Sequence, residues 1–188
     1  MNHTIQITKL DAASRQLNIA IRLLFEEAEI IAVHTIAGAA SILYSNILSK
    51  TEPNESWDIK AQVACELAPV EYYKIMRKTQ NFLKHADKDT EETLEFDPMD
   101  TEALLFGAVM NAVDIPPMSV EAQVFQLWYI ASHWPLSDEN QTPFADAVLL
   151  FGDLRKTLRQ DRMKIGLKVL KFELEKPSLH HSMQQSPP

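Results

Sequence analysis

Apolar residues recur at helical spacing along most of the chain. Between Thr8 and Glu26, Leu10, Leu17, Ile21 and Leu24 follow a 3.6-residue period. Thr8, followed three residues later by Asp11, predicts a capping box at the start of this first helix. After a short break Ile30, Val33, Ala37, Ala40, Tyr44 and Leu48 continue the period, with Gly38 and several alanines giving a slim face for close helix contact. This second helix is expected to lie antiparallel to the first. A polar loop with Pro53 and Asn54 leads to a short helix expected over 57–67. Pro69 suits the first turn of a third principal helix, whose stripe is Tyr72, Ile75, Met76, Thr79, Phe82, Leu83 and Ala86. Asp97-Pro98-Met99-Asp100 combines an N-cap acid, a first-turn proline and a second acid, and predicts a fourth helix through Leu104, Leu105, Ala108 and Val109. A fifth helix follows from Ser119 through Val124, Leu127, Trp128 and Ala131, closed by Pro135. Beyond Pro143, the stripe Val148, Leu149, Leu154, Leu158, Ile165, Val169 and Phe172 predicts one long helix, or two with a kink near Gly152.

No run alternates with period two for long; Ile5-Gln6-Ile7 and Leu94-Glu95-Phe96 read as extended lead-ins. The expected fold class is therefore all-α, a single-domain helical bundle of about six helices over residues 1–176. A polar, proline-bearing tail, 177–188, is expected to be disordered.

Length agrees with one core: 188 residues close a single domain and are short for two. His34 and Thr35 interrupt the longest apolar stretches, well short of the roughly 18 unbroken apolar residues of a membrane span, so no membrane partner is expected. The first ten residues lack a basic start and an apolar block, so no secretory leader is expected either. The lone cysteine, Cys65, reads as a small buried thiol, and the chain as cytoplasmic. Charge changes the picture more. The net charge of −8 disfavours a general nucleic-acid binder, yet the segment from Asp153 to Lys176 carries eight basic and four acidic residues, leaving −12 on the remainder. The basic face is expected to be solvated or to pair with acidic loops of the same protein.

Glycine-rich phosphate loops, paired cysteines, G-x-S-x-G and H-E-x-x-H are all absent, so no cofactor is expected. Two groups of residues remain. Arg77, Asn81 and His85 stand four apart and are expected to share one helix face. A histidine there can move a proton near neutrality, while Arg or Asn steadies a phosphate; equally, cations in a last helical turn answer the helix dipole. His34 lies among small apolar residues and needs a hydrogen-bond partner. If His34 faces His85 across two helices, a two-histidine metal site with loop carboxylates becomes conceivable. The acidic stretch after His85 fails as an EF-hand, because Glu92 and Pro98 stand where glycine and glutamate are required. His133, at a helix end, and His180-His181, in the tail, are assigned no role.

The strings Thr8-Lys9-Leu10-Asp11-Ala12-Ala13, Val33-His34-Thr35-Ile36-Ala37 and Asn81-Phe82-Leu83-Lys84-His85-Ala86-Asp87, followed by Leu94-Glu95-Phe96-Asp97-Pro98, resemble a family of bacterial all-helical proteins without an assigned activity. The likeness spans roughly residues 5–135. It implies a bacterial cytoplasmic protein whose second and third helices matter most. More distantly, the third helix is similar to the HEPN superfamily, helical and often dimeric proteins that include metal-independent ribonucleases. That similarity implies His85 as general acid or base, with Arg77 or Lys84 beside the phosphate. Here Arg77 and His85 are separated by seven residues, and Gln80 precedes Asn81 where the superfamily has arginine. The leading expectation is a non-enzymatic module that self-associates as a homodimer or binds a partner protein. The ribonuclease centred on His85 and the metal protein using His34 and His85 are its alternatives.

Overall fold

The computed structural model describes residues 4–85, 90–115, 117–135 and 142–176. Among them the fold is all-helical: α1 (Lys9–Phe25), α2 (Ile30–Thr51), a 3-10 turn (Pro53–Glu55), α3 (Trp57–Ala64), α4 (Pro69–Met76), α5 (Lys78–Lys84), α6 (Pro98–Val113), α7 (Val120–His133), α8 (Thr142–Phe151) and α9 (Arg159–Glu175). The 177–188 tail lies outside the described residues.

The helix starts are chemical. The Thr8 hydroxyl accepts the Asp11 N–H at 3.0 Å while the Asp11 carboxylate accepts the Thr8 N–H at 3.1 Å, which completes the expected capping box. The Thr8 hydroxyl also donates to this carboxylate at 2.7 Å, and that bond, followed by the one from the Thr8 N–H, holds the Asp11 carboxyl below the usual carboxylate range. Asp97 caps α6 through the Met99 N–H, and the Ser119 hydroxyl caps α7 through the Ala122 N–H.

The core forms where α1, α2, α6, α7, α8 and α9 turn apolar faces together. Phe25, Phe125 and Trp128 sit at its centre, with Phe25 meeting Trp128 edge-on at 5.2 Å. The Trp128 indole N–H donates to the Arg162 carbonyl at 2.8 Å, so the largest buried side chain carries no orphan donor. On α9, Gly166 lies against the Phe25 ring, and a Cβ there would overlap it.

Two expectations are corrected, and one pair of alternatives is decided. The predicted third helix breaks at Arg77 into α4 and α5. Of the two alternatives for the last region, the structure has the second: two helices, α8 and α9, separated from Gly152 onward, whose φ of +72° glycine adopts without strain. With α3 as a separate helix, these breaks raise the count above about six. Cys65 is exposed: it caps the C-terminus of α3, where the chain turns through Glu66 at φ 54° instead of continuing inward.

The 22-residue α2 is, by length and composition, apolar enough to cross a membrane, which the reading of broken apolar runs did not foresee. In this fold it is the central helix, flanked by α1 and α6.

Candidate functional site

Of the α4–α5 pair, α5 packs on α2, and the break between them explains what it touches. At Arg77 the backbone leaves helical geometry, and the guanidinium stacks over the Tyr73 ring at 4.4 Å. The following turn brings Gln80, instead of an apolar residue, against α2. Its amide donates to the Thr35 carbonyl at 3.0 Å, and its side chain fills the space left by the missing Cβ of Gly38. Within the predicted apolar stripe Tyr72 is buried, whereas Ile75 and Met76 are exposed.

Arg77, Asn81 and His85 keep their four-residue spacing, but along the short α5 and not along one long helix: Arg77 is its N-cap and His85 its C-cap, and the Asn81 N–H donates to the Arg77 carbonyl at 2.8 Å and the His85 N–H to the Asn81 carbonyl at 3.1 Å. Arg77 is the broken residue, while Asn81 and His85 are exposed on and just after α5. Ala86 and Asp87, the end of the Asn-Phe-Leu-Lys-His-Ala-Asp string, lie outside the described residues. So does Asp89.

His34 has the buried, partnered environment its position required. It is 3% exposed, its Nδ1 is 3.0 Å from the Thr101 hydroxyl of α6, and its ring meets Phe96 edge-on at 5.3 Å. Burial pushes the imidazole below its ordinary range, and the nearby Asp100 charge opposes this more weakly. Nε2 has no hydrogen bond among the described residues, and the ring lines a cleft of about 300 Å3. The polar rim of that cleft is Lys78 and Thr79 from α5, with Glu95 from the segment before α6 and Asp100 from its first turn. Ile75, Met76, Leu94, Ala103 and Leu104 make its apolar wall.

Behind Met76 and Leu104 a smaller cavity of about 20 Å3 is lined by Gly38, Ser41, Ser45, Asp58, Arg77 and Gln80. That volume suits a single water, and the buried Gln80 Oε1, which has no protein partner, would receive its hydrogen bond. Asp58 is otherwise fully used. It accepts from the Tyr72 hydroxyl and from the Asn111 amide, each at 2.9 Å, while Asn111 accepts the Trp57 N–H at 2.8 Å. Burial and the Asp58 charge push the Tyr72 hydroxyl well above its usual range.

Among the described residues, no three His, Cys, Asp or Glu side chains lie together as a metal would require, so His34 and His85 are not joined by carboxylates there.

One ionic cluster escaped the sequence reading. Glu102, on α6, is fully buried; its Oε1 accepts from Arg159 Nε at 2.7 Å, and its Oε2 lies 3.1 Å from His133 Nε2. His133, assigned no role from sequence, thus joins α7 to α6, and Arg159 joins α9 to the same carboxylate. The expectation that basic α9 meets acidic residues holds at this one point, though Glu102 belongs to a helix and not to a loop. Burial, then the Glu102 charge, raises the neighbouring Tyr129 hydroxyl. Nothing in the one-dimensional pattern marked Glu102 as internal, because it follows a run of exposed acids.

Compared with known protein families, with curated proteins and with solved structures, the chain finds no match. The family resemblance accordingly rests on its sequence strings alone.

Proposed function

We propose that this protein is a helical module that acts by association, pairing with a second copy through the outer face of α9. The observation that carries this reading is the composition of that face. Lys164, Lys168 and Lys171 recur along one side of α9 and are all exposed, beside Phe172 at 61% exposure. Lys168 and Lys171 form no ion pair among the described residues. At the C-terminal end, Glu173 shares a groove with Leu150 of α8 and with Val120, Val124 and Leu127 of α7, so the charged stripe borders apolar surface.

The complementary charge is on the same molecule. Glu91, Glu95, Asp97 and Asp100 are exposed before and at the start of α6. Glu102, which follows them in α6, already reaches α9 through Arg159. A two-fold axis that places the acidic stretch of one copy over α9 of the other satisfies both surfaces twice, the self-complementary arrangement of an isologous dimer. In this reading the chain is a cytoplasmic homodimer, and neither catalysis nor nucleic acid is involved.

Sedimentation of the wild type and of a Lys168→Glu/Lys171→Glu variant, at low and high salt, tests it. A dimer that loosens with salt and is lost in the variant is expected. A monomer throughout, or a dimer indifferent to both changes, sinks the reading. EDTA-resistant RNA cleavage that disappears in His85→Ala would instead favour the ribonuclease centred on His85.

A further inference from the structure

The cleft under α4 and α5 is separate from the α9 surface, which packs on α1, α7 and α8. Its contents define a ligand. The floor is a buried imidazole oriented by Thr101, with Nε2 free of any hydrogen bond among the described residues. The rim carries charges of both signs, Lys78 from α5 and Glu95 with Asp100 from before and within the first turn of α6, and none of the three forms an ion pair among the described residues. The wall between them is aliphatic and thioether.

We infer that this cleft binds a small zwitterion with an apolar side chain, a free amino acid of the leucine or methionine type. A purely anionic ligand would answer Lys78 but be repelled by the two carboxylates, and a purely cationic one would meet the reverse at Lys78. A molecule with an ammonium and a carboxylate on one carbon answers both. Its side chain lies against Ile75, Met76, Leu94 and Leu104, and His34 Nε2 hydrogen-bonds one of its charged groups. Imidazole suits this position because it is neutral here and can donate or accept according to tautomer, so it is compatible with either end of the ligand. A volume of about 300 Å3 is at the small end for ligand pockets and suits a molecule of amino-acid size.

The test uses the full chain and calorimetric titration with L-leucine, L-methionine and L-phenylalanine. Isopentylamine and isocaproate, which are leucine without its carboxylate and without its amine, serve as controls. The expected result is saturable binding of at least one amino acid, about tenfold or more tighter than either control. Lys78→Ala and Asp100→Asn are each expected to weaken it about tenfold. Both side chains are exposed, so neither change threatens the core. The His34 ring-nitrogen NMR signals should move on titration in the wild type. No saturation up to roughly 10 mM of any amino acid overturns the inference. So does equal affinity for a one-charge control, or binding unaffected by both substitutions. The oligomeric state decides the α9 proposal separately, so the two can fail independently.

Discussion

His34 shows how much a single side chain can report. In the unfolded chain an imidazole titrates near 6.5, whereas in the fold burial depresses it. Below the unfolded value the unfolded state therefore binds the extra proton first. The contribution of His34 to stability is full above pH 6.5 and is lost as pH falls from there through the lower folded value. Urea midpoints measured at about pH 7 and about pH 5.5 should fall more for the wild type than for His34→Asn, which keeps a hydrogen-bonding group near Thr101 but does not titrate. Equal falls would show that His34 does not carry the dependence. That His34 needs a partner was legible in its apolar surroundings. The identity of that partner was not, because Thr101 is 67 residues away along the chain.

At the scale of elements, the sequence was most informative where caps and periodicity agreed, as in α1, α2, α6 and α7. It failed on the α4–α5 pair. The stripe through Ile75 and Met76 has helical spacing, yet the buried residue of α5 is Gln80, whose docking depends on Gly38 in a helix more than forty positions earlier. A polar side chain filling a glycine notch leaves no trace in hydrophobic periodicity. The notch can be tested directly. Gly38→Ala drives a methyl group into the Gln80 amide and displaces it from the Thr35 carbonyl; with the better helix propensity of alanine offsetting part of this, the net cost should be about 1 kcal/mol. Adding Gln80→Ala should recover part of this in a double-mutant cycle read by chemical denaturation. Purely additive losses would mean that the two residues do not meet.

For the whole molecule, one tie that joins three helices is ionic. Glu102 joins α6, α7 and α9 through one buried carboxylate. Arg159→Ala leaves that charge with His133 alone and should cost about 2–3 kcal/mol, less than a fully buried pair because Arg159 is one-third exposed. Lys60→Ala, which removes an exposed pair with Glu55, should be near neutral in the same thermal melts. If the two variants melt alike, the Glu102 junction is not a structural tie.

The central place of α2 has a consequence for the chain as it is made. Its apolar faces are covered by α1, already synthesised, and by α6, which ends 62 residues after α2 does, at Val113 against Thr51. At about 5–20 residues per second the ribosome needs roughly 3–12 seconds to supply that second cover. During this interval a 22-residue apolar helix, long enough to enter a bilayer, is half-clothed at the ribosome surface. The nascent chain is thus a candidate for transient chaperone capture until α6 emerges.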